Sequence, residues 1–328
     1  MKKISIIGDG GWGTALAILL NSKGLDVTLW SAFPEYVLKM KEKRENTKFL
    51  KGISLPDGIN LVSDISLAAK ADITFFVVPS EYLRAVAEKF RGLELGEIVS
   101  ATKGIENGSL KRASEVLSEY FPGKEISVLS GPSISGEVAK GMPTAVVLAS
   151  AGQKCEDIRP VLMTETFRVY TSADTLGVEI GGSVKNVIAI AAGISDGMGF
   201  GTNTKAGLLT RGLAEITRLG VKMGAKSDTF WGLSGLGDLA TTCISNQSRN
   251  RWFGEEIGKG RKIAEIRKTT EMAIEGEKTS LSVLQLSEKY GVDMPISRKV
   301  YEVIYKNADP REAVRELMTR SAKQEDYR

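Results

Sequence analysis

The apolar run KISII (3 to 7) meets GDGGWG (8 to 13) with nothing between them, and an apolar helical pattern, Trp12 to Ser22, follows at once. A glycine loop in that position constrains the fold more than any other feature of the chain. Gly8 supplies the tight turn out of a strand, Gly10 lets backbone amides approach a pyrophosphate, and Gly13 lets the helix pack close to the sheet. The opening of the helix, with Gly11 and Trp12, then faces the anion. The spacing predicts a dinucleotide site at the head of a βαβ unit.

Further β-rich runs alternate with helical patterns through the first half: DVTLW (26 to 30), ITFFVV (73 to 78), EIVSA (97 to 101), ISVLS (126 to 130) and TAVVLA (144 to 149). Several are apolar throughout, as strands covered on both faces should be. The order implies an α/β fold with a Rossmann-type, doubly wound, mostly parallel sheet. From about Val178 the strand signal ends and helical periods dominate, as in residues 204 to 224 and 280 to 290. A chain of 328 residues exceeds what one core usually serves, so a dinucleotide-binding domain over 1–178 and an all-helical domain over 179–328 are expected. Breaks within the second are glycine-rich, at 193 to 203 and 232 to 238, and the charged end SAKQEDYR (321 to 328) is expected to fray.

Composition narrows the chemistry. A net charge of +4 without basic, aromatic-laced blocks argues against nucleic acid as a partner but does not oppose an anionic small molecule. No histidine is present, which removes a Ser-His-Asp triad. Cys155 and Cys243 lack metal-ligand spacing, so no metal site is expected, and they form no disulfide framework, which suits a reducing cytoplasm. The apolar run at the N-terminus is too short for an export signal, and Val187 to Ile194 falls far below the roughly 20 residues that span a bilayer.

Ligands of an open α/β sheet bind beyond the carboxyl ends of its strands. The loops there carry Lys103 in ATKG and Ser133 in GPSISGE, and the lysine could meet an anion or a polarised carbonyl, although each loop also reads as an ordinary turn. The end of the second strand, LWSAF (29 to 33), offers neither the acid that binds the ribose 2′-hydroxyl of NAD nor an arginine for the 2′-phosphate of NADP. Absence of the acid tilts the balance slightly to NADP.

An enzyme that moves hydride to or from a carbonyl must also exchange a proton with its oxygen. Without histidine the choice lies among Lys, Tyr, Cys and carboxylates, and Lys185 in GGSVKNV stands where an apolar helix is expected to begin. Burial, or a nearby cation such as Lys103, would move its amine towards neutrality, with Asn186 orienting amine or substrate; a lysine snorkelling at a helix end is the competing reading. Downstream, Asp238 follows flexible glycines, and Ser248, Arg249 and Asn250 offer a hydroxyl, a guanidinium fork and an amide suited to a phosphate. Alternatively Asp238 caps a helix and Arg249 pairs with Glu255 or Glu256 on the surface. Asp196, in SDGMG, reads as a turn residue.

Taken together, GDGGWGTALA (8 to 17), ATKG (101 to 104), SGPSISGEVAKGMPTA (130 to 145), residues 181 to 215 and GLGDLATTCISNQSRNRWFG (235 to 254) resemble, in collinear order, the bacterial NAD(P)-dependent glycerol-3-phosphate dehydrogenase family. The resemblance implies reversible reduction of dihydroxyacetone phosphate to sn-glycerol 3-phosphate for phospholipid synthesis, by a cytoplasmic homodimer. It makes Lys185 the proton donor and acceptor, Lys103 a contact of both cofactor and substrate, and Asp238 and Thr242 part of the substrate pocket. Gly131, Ser133, Ser248, Arg249 and Asn250 match substrate positions, and Trp12, Ser135, Arg249, Ala273 and Glu275 match cofactor positions. Departures are Asp9 and Gly11, where the family usually has Ala and Ser, Ala32 in place of a basic or imidazole side chain, and Ser135–Gly136 in place of Ala followed by a base. A 3-hydroxyacid or 6-phosphogluconate dehydrogenase type is the nearest rival and a non-catalytic nucleotide sensor the more distant one. The GLGDLATTC and SRNR motifs argue against the first, and Lys103, Lys185 and Asp238 against the second.

Overall fold

The computed structural model describes residues 1–270, 272–322 and 324–325, so Lys323 and residues 326–328 of the charged end lie outside it. The described chain forms two compact units, residues 1–103 with 111–179, and residues 104–110 with 180–328. Gly104–Leu110 groups with the second unit because its backbone is tied there: Ser282 Oγ donates to the Ile105 carbonyl at 3.2 Å.

The first unit is an eight-stranded sheet. Its strands are β1 (Lys3–Ile7), β2 (Asp26–Trp30), β3 (Ile59–Val62), β4 (Ile73–Phe76), β5 (Glu97–Ser100), β6 (Ile126–Ser130), β7 (Thr144–Ala149) and β8 (Phe167–Ser172). They lie in the order β3-β2-β1-β4-β5-β6-β7-β8, parallel except where β6 meets β7. In register, Ile7 stands beside Trp30 on one side and Phe76 on the other. Side chains alternate between faces, so Ile4, Ile6 and Phe75 join one core while Ile7, Trp30 and Phe76 join another. Helix Gly11–Asn21 covers the first through Leu16 and Leu20, and helices Ser80–Lys89 and Ala113–Tyr120 cover the second through Leu83, Val86, Val116 and Leu117. Each such side chain, fully buried, contributes about 1.5–3 kcal/mol. The order reverses beside β1, so the loops after β1, β2, β4, β5 and β6 all leave one edge of the sheet.

The second unit is helical. Its central helix is the part from Ile180 onward of Thr175–Gly197, which begins well before Lys185 and so corrects the expectation that Lys185 opens it. Gly181 and Gly182 look like breakers, yet they continue the helix. A Cβ at Gly181 would stand 2.6 Å from the Ser234 carbonyl, so glycine is set here by close approach of another segment. The helix is long and apolar enough to cross a bilayer, but its apolar window is wholly buried by protein. It packs on helix Arg249–Gly258 backbone to backbone: a Cβ at Gly193 would lie 1.9 Å from the Arg251 carbonyl, and one at Gly254 would lie 2.1 Å from that of Ile190. Asp196 is in the last turn of the central helix and is no turn residue. It holds Lys205 at 2.8 Å and Arg251 at 2.7 Å. A single π-helical turn, Leu233–Gly237, leads into helix Asp238–Ile244.

Candidate active site

In the first unit the glycine loop has the shape its spacing predicts. Gly8 has φ +119°, and a Cβ there would meet the Val77 carbonyl at 2.8 Å. At Gly13 a Cβ would sit 2.0 Å from the Gly8 carbonyl, so helix and strand touch through bare backbone. Nothing lies within 4 Å of where a Gly10 Cβ would be, which leaves an open cradle before the first N–H groups of helix Gly11–Asn21. Trp12 Nε1 beside it is buried without a hydrogen-bond partner. This cradle fits a dinucleotide pyrophosphate. The departure at Gly11 also has a reason: a Cβ there would stand 2.7 Å from the Phe49 carbonyl, because residues 46–50 cross the loop. Asn46 pins that crossing by donating to the Asp9 carbonyl and to Thr14 Oγ1, both at 2.7 Å.

The loops after β5 and β6 meet. Lys103 Nζ donates to the Gly131 carbonyl at 2.8 Å and to Ser133 Oγ at 3.4 Å, while Ser133 Oγ donates to the same carbonyl at 3.0 Å. Ser135 opens the short helix Ser135–Ala139, its Oγ 3.4 Å from where a Gly11 Cβ would be. Gly131, Ser133 and Lys103 thus form one cluster, and Ser135 stands beside the glycine loop.

In the second unit Lys185 is 5% and Asp238 1% exposed. Nζ of Lys185 donates to Asp238 Oδ1 at 2.5 Å and to Thr242 Oγ1 at 2.6 Å, and Thr242 Oγ1 donates to the Asp238 carbonyl at 2.6 Å. Lys185 therefore does not snorkel. Asp238 starts its helix without capping it by its side chain. Cys243 on the same helix is no alternative proton carrier, since burial pushes its thiol up to about 12.

A second chain of contacts links Asn186, whose Oδ1 accepts from Asn250 Nδ2 at 2.9 Å, to the Gly276 N–H, which donates to Asn250 Oδ1 at 2.9 Å. Ser248 caps helix Arg249–Gly258, its Oγ accepting from the Arg251 N–H at 3.2 Å. Arg251, not Arg249, makes the surface pair with Glu255, at 3.5 Å. Arg249 keeps accessible surface. Crowding by protein pushes its guanidinium down from its ordinary value, and the Glu275 carboxylate opposes that shift. Ala273 and Glu275 lead into helix Glu275–Tyr290, whose Gly276 is joined to Asn250. Sequence reasoning missed the Asp196–Lys205–Arg251 cluster and the Asn186–Asn250 bond. Neither has a local signal, because both join separate helices.

A Rossmann-ordered sheet with an open glycine cradle, followed by a helical unit built around a buried lysine–aspartate pair, defines a dinucleotide-binding protein of the oxidoreductase class. Residues 3–156 match the family described as NAD-dependent glycerol-3-phosphate dehydrogenase N-terminus, and residues 174–315 match its C-terminus. The chain belongs to the NAD-dependent glycerol-3-phosphate dehydrogenase family. It is 49% identical to a glycerol-3-phosphate dehydrogenase [NAD(P)+] of Citrifermentans bemidjiense, over 99% of each chain. With the protein of that name from Chlorobium phaeobacteroides strain BS1 it shares 46%, over 98% of this chain and 99% of the other. The crystal structure of a glycerol-3-phosphate dehydrogenase from Coxiella burnetii superposes with a TM-score of 0.94 at 39% identity, covering 97% of this chain and 99% of that one.

Proposed function

We propose that this chain catalyses the NAD(P)-dependent interconversion of dihydroxyacetone phosphate and sn-glycerol 3-phosphate. The observation that carries the reading is the Lys185–Asp238–Thr242 set, buried in a chain that matches relatives named glycerol-3-phosphate dehydrogenase [NAD(P)+] nearly end to end. Residues 1–178 serve as the cofactor-binding domain and 179–328 as the substrate-binding domain.

A nicotinamide nucleotide held in the glycine cradle would supply or accept the hydride. Lys185 gives the carbonyl oxygen its proton during reduction and recovers it in the reverse direction. Asp238 keeps the buried ammonium from standing as an uncompensated charge, and together with Thr242 Oγ1 it fixes where Nζ points. Lys103 contacts cofactor and substrate and stabilises charge on the reacting oxygen. Arg249, with Ser248, Asn250, Asn186, Gly131 and Ser133, holds the phosphorylated substrate. Gly8, Gly10, Gly11, Trp12, Gly13, Ser135, Ala273 and Glu275, with Arg249, hold the nucleotide. The product feeds phospholipid synthesis, and the enzyme works as a cytoplasmic homodimer, a setting that suits the free thiols Cys155 and Cys243.

Oxidation of NADH and NADPH, followed by loss of the reduced nicotinamide's absorbance with dihydroxyacetone phosphate as substrate, tests the activity. Lys185→Ala should lower kcat about a hundredfold to ten-thousandfold while nucleotide binding persists. Near-normal turnover in that variant would sink the assignment.

A further inference from the structure

The end of β2 brings no acid of its own, yet the structure delivers one there from the glycine loop. Asp9 is 7% exposed, and its Oδ2 accepts a hydrogen bond from Ser31 Oγ at 2.8 Å. Ser31 is the first residue past β2, its N–H bonded to the Val62 carbonyl at 2.9 Å and its Oγ accepting from the Phe33 N–H at 3.2 Å. The carboxylate therefore stands at the carboxyl end of β2, where a dinucleotide fold meets the 2′ position of the adenosine ribose. Its backbone is equally fixed. The Asp9 carbonyl accepts from Asn46 Nδ2 at 2.7 Å and from Thr14 Oγ1 at 3.3 Å.

We propose that Asp9, held by Ser31, sets the nucleotide preference of this protein to NAD(H): it accepts from the ribose 2′-hydroxyl and repels the 2′-phosphate of NADP(H). In an NAD-preferring fold this task falls to an acid carried by the second strand. Here a carboxylate reaches the end of β2 from the loop after β1, a contribution that LWSAF read alone does not contain. Burial pushes the Asp9 carboxyl up from its ordinary value, while the Ser31 hydrogen bond and the charge of Lys48 pull it back. A carboxylate that has lost much of its water gains from one more donor, and a ribose hydroxyl is such a donor. Lys48 is the opposing influence, since its charge would favour a 2′-phosphate.

The proposal rests on the reading of GDGGWG as a dinucleotide site, and the test separates the two. Dissociation constants of the full chain for NADH and for NADPH are measured by fluorescence titration, without substrate, for the wild type, Asp9→Asn, Asp9→Ala and Ser31→Ala, with circular dichroism verifying folding. Asp9→Asn keeps an acceptor for Ser31 but removes the charge. The wild type should bind NADH at least about tenfold more tightly than NADPH, and both Asp9 variants should bring the two within about threefold, mainly by tighter NADPH binding. Ser31→Ala, which leaves the carboxylate unanchored, should give an intermediate ratio. A wild type that prefers NADPH, or a ratio that moves less than about twofold in both Asp9 variants, overturns the proposal while leaving the dinucleotide reading intact. Failure of the wild type to bind either nucleotide overturns both.

Discussion

Replacing Asp238 by Asn removes one negative charge and almost no volume, and it isolates the contribution of the buried pair. The side chains of Lys185 and Asp238 are 6% and 2% exposed and meet at 2.5 Å, so the substitution leaves an ammonium out of water with Thr242 Oγ1 and a neutral amide as partners. Removing one partner of such a pair costs about 3–5 kcal/mol, against about 0–1 kcal/mol for an exposed pair. The pair itself is worth far less than that loss, because both ions gave up hydration to form it. The double variant Lys185→Met/Asp238→Asn should therefore recover most of the lost stability, to within about 1.5 kcal/mol of the wild type. Urea unfolding followed by circular dichroism measures all four corners of the cycle, and turnover is recorded alongside. Any variant without Lys185 should be about a hundredfold or more slower whatever its stability. A single variant that costs less than about 1 kcal/mol, or a double variant no more stable than Asp238→Asn, would refute the reasoning.

Arg249→Ala should raise KM for dihydroxyacetone phosphate about tenfold to a hundredfold through loss of charge-assisted hydrogen bonds, with a smaller change in kcat; an unchanged KM removes its phosphate role. Burial pushes Glu215 up to about 7, against hydrogen bonds from the Ile296 and Ser297 N–H groups and Ser297 Oγ. A folded state that holds this proton more tightly than the unfolded chain loses stability as pH rises from the ordinary carboxylate range through about 7, by about 3 kcal/mol at most. Glu215→Gln should flatten that slope in urea midpoints taken from pH 5 to 8, and an identical slope in both proteins would count against it. Gly254→Ala places a methyl group 2.1 Å from the Ile190 carbonyl and should cost about 1–3 kcal/mol, read as a lower Tm.

Interior strands were legible as short β-rich runs of mostly apolar residues, and β1, β2, β6 and β7 have the bounds those runs predict. β3 and β8 were not, because they are the sheet's edges. FRVYTS alternates buried Phe167 and Val169 with exposed Arg168 and Tyr170, and INLV spans only four residues, so neither offers a continuous apolar signal. The glycine cradle was legible because its chemistry lies in one hexapeptide. Position within the Lys185 helix was not: Gly181 and Gly182 lie inside it, and the close approach of Ser234 that requires glycine at 181 comes from a distant segment. Asp196 was misread for the same reason, its partners Lys205 and Arg251 belonging to other helices. The Asp9–Ser31 bond spans two loops of the sheet edge, and scanning one strand end at a time passes over it.

The glycine contact between helices Thr175–Gly197 and Arg249–Gly258 acts as a fixed gauge. One helix carries Lys185 and Asn186, the other Arg249 and Asn250, and no side chain stands between them at Gly193 and Gly254 to be lengthened or trimmed. Most helix pairs can change their separation by exchanging one core residue for another. This pair is already at its minimum, and every substitution at the seam can only push it apart. The backbone separation of the turns that carry Lys185 and Arg249 is thus insulated from drift in the surrounding core.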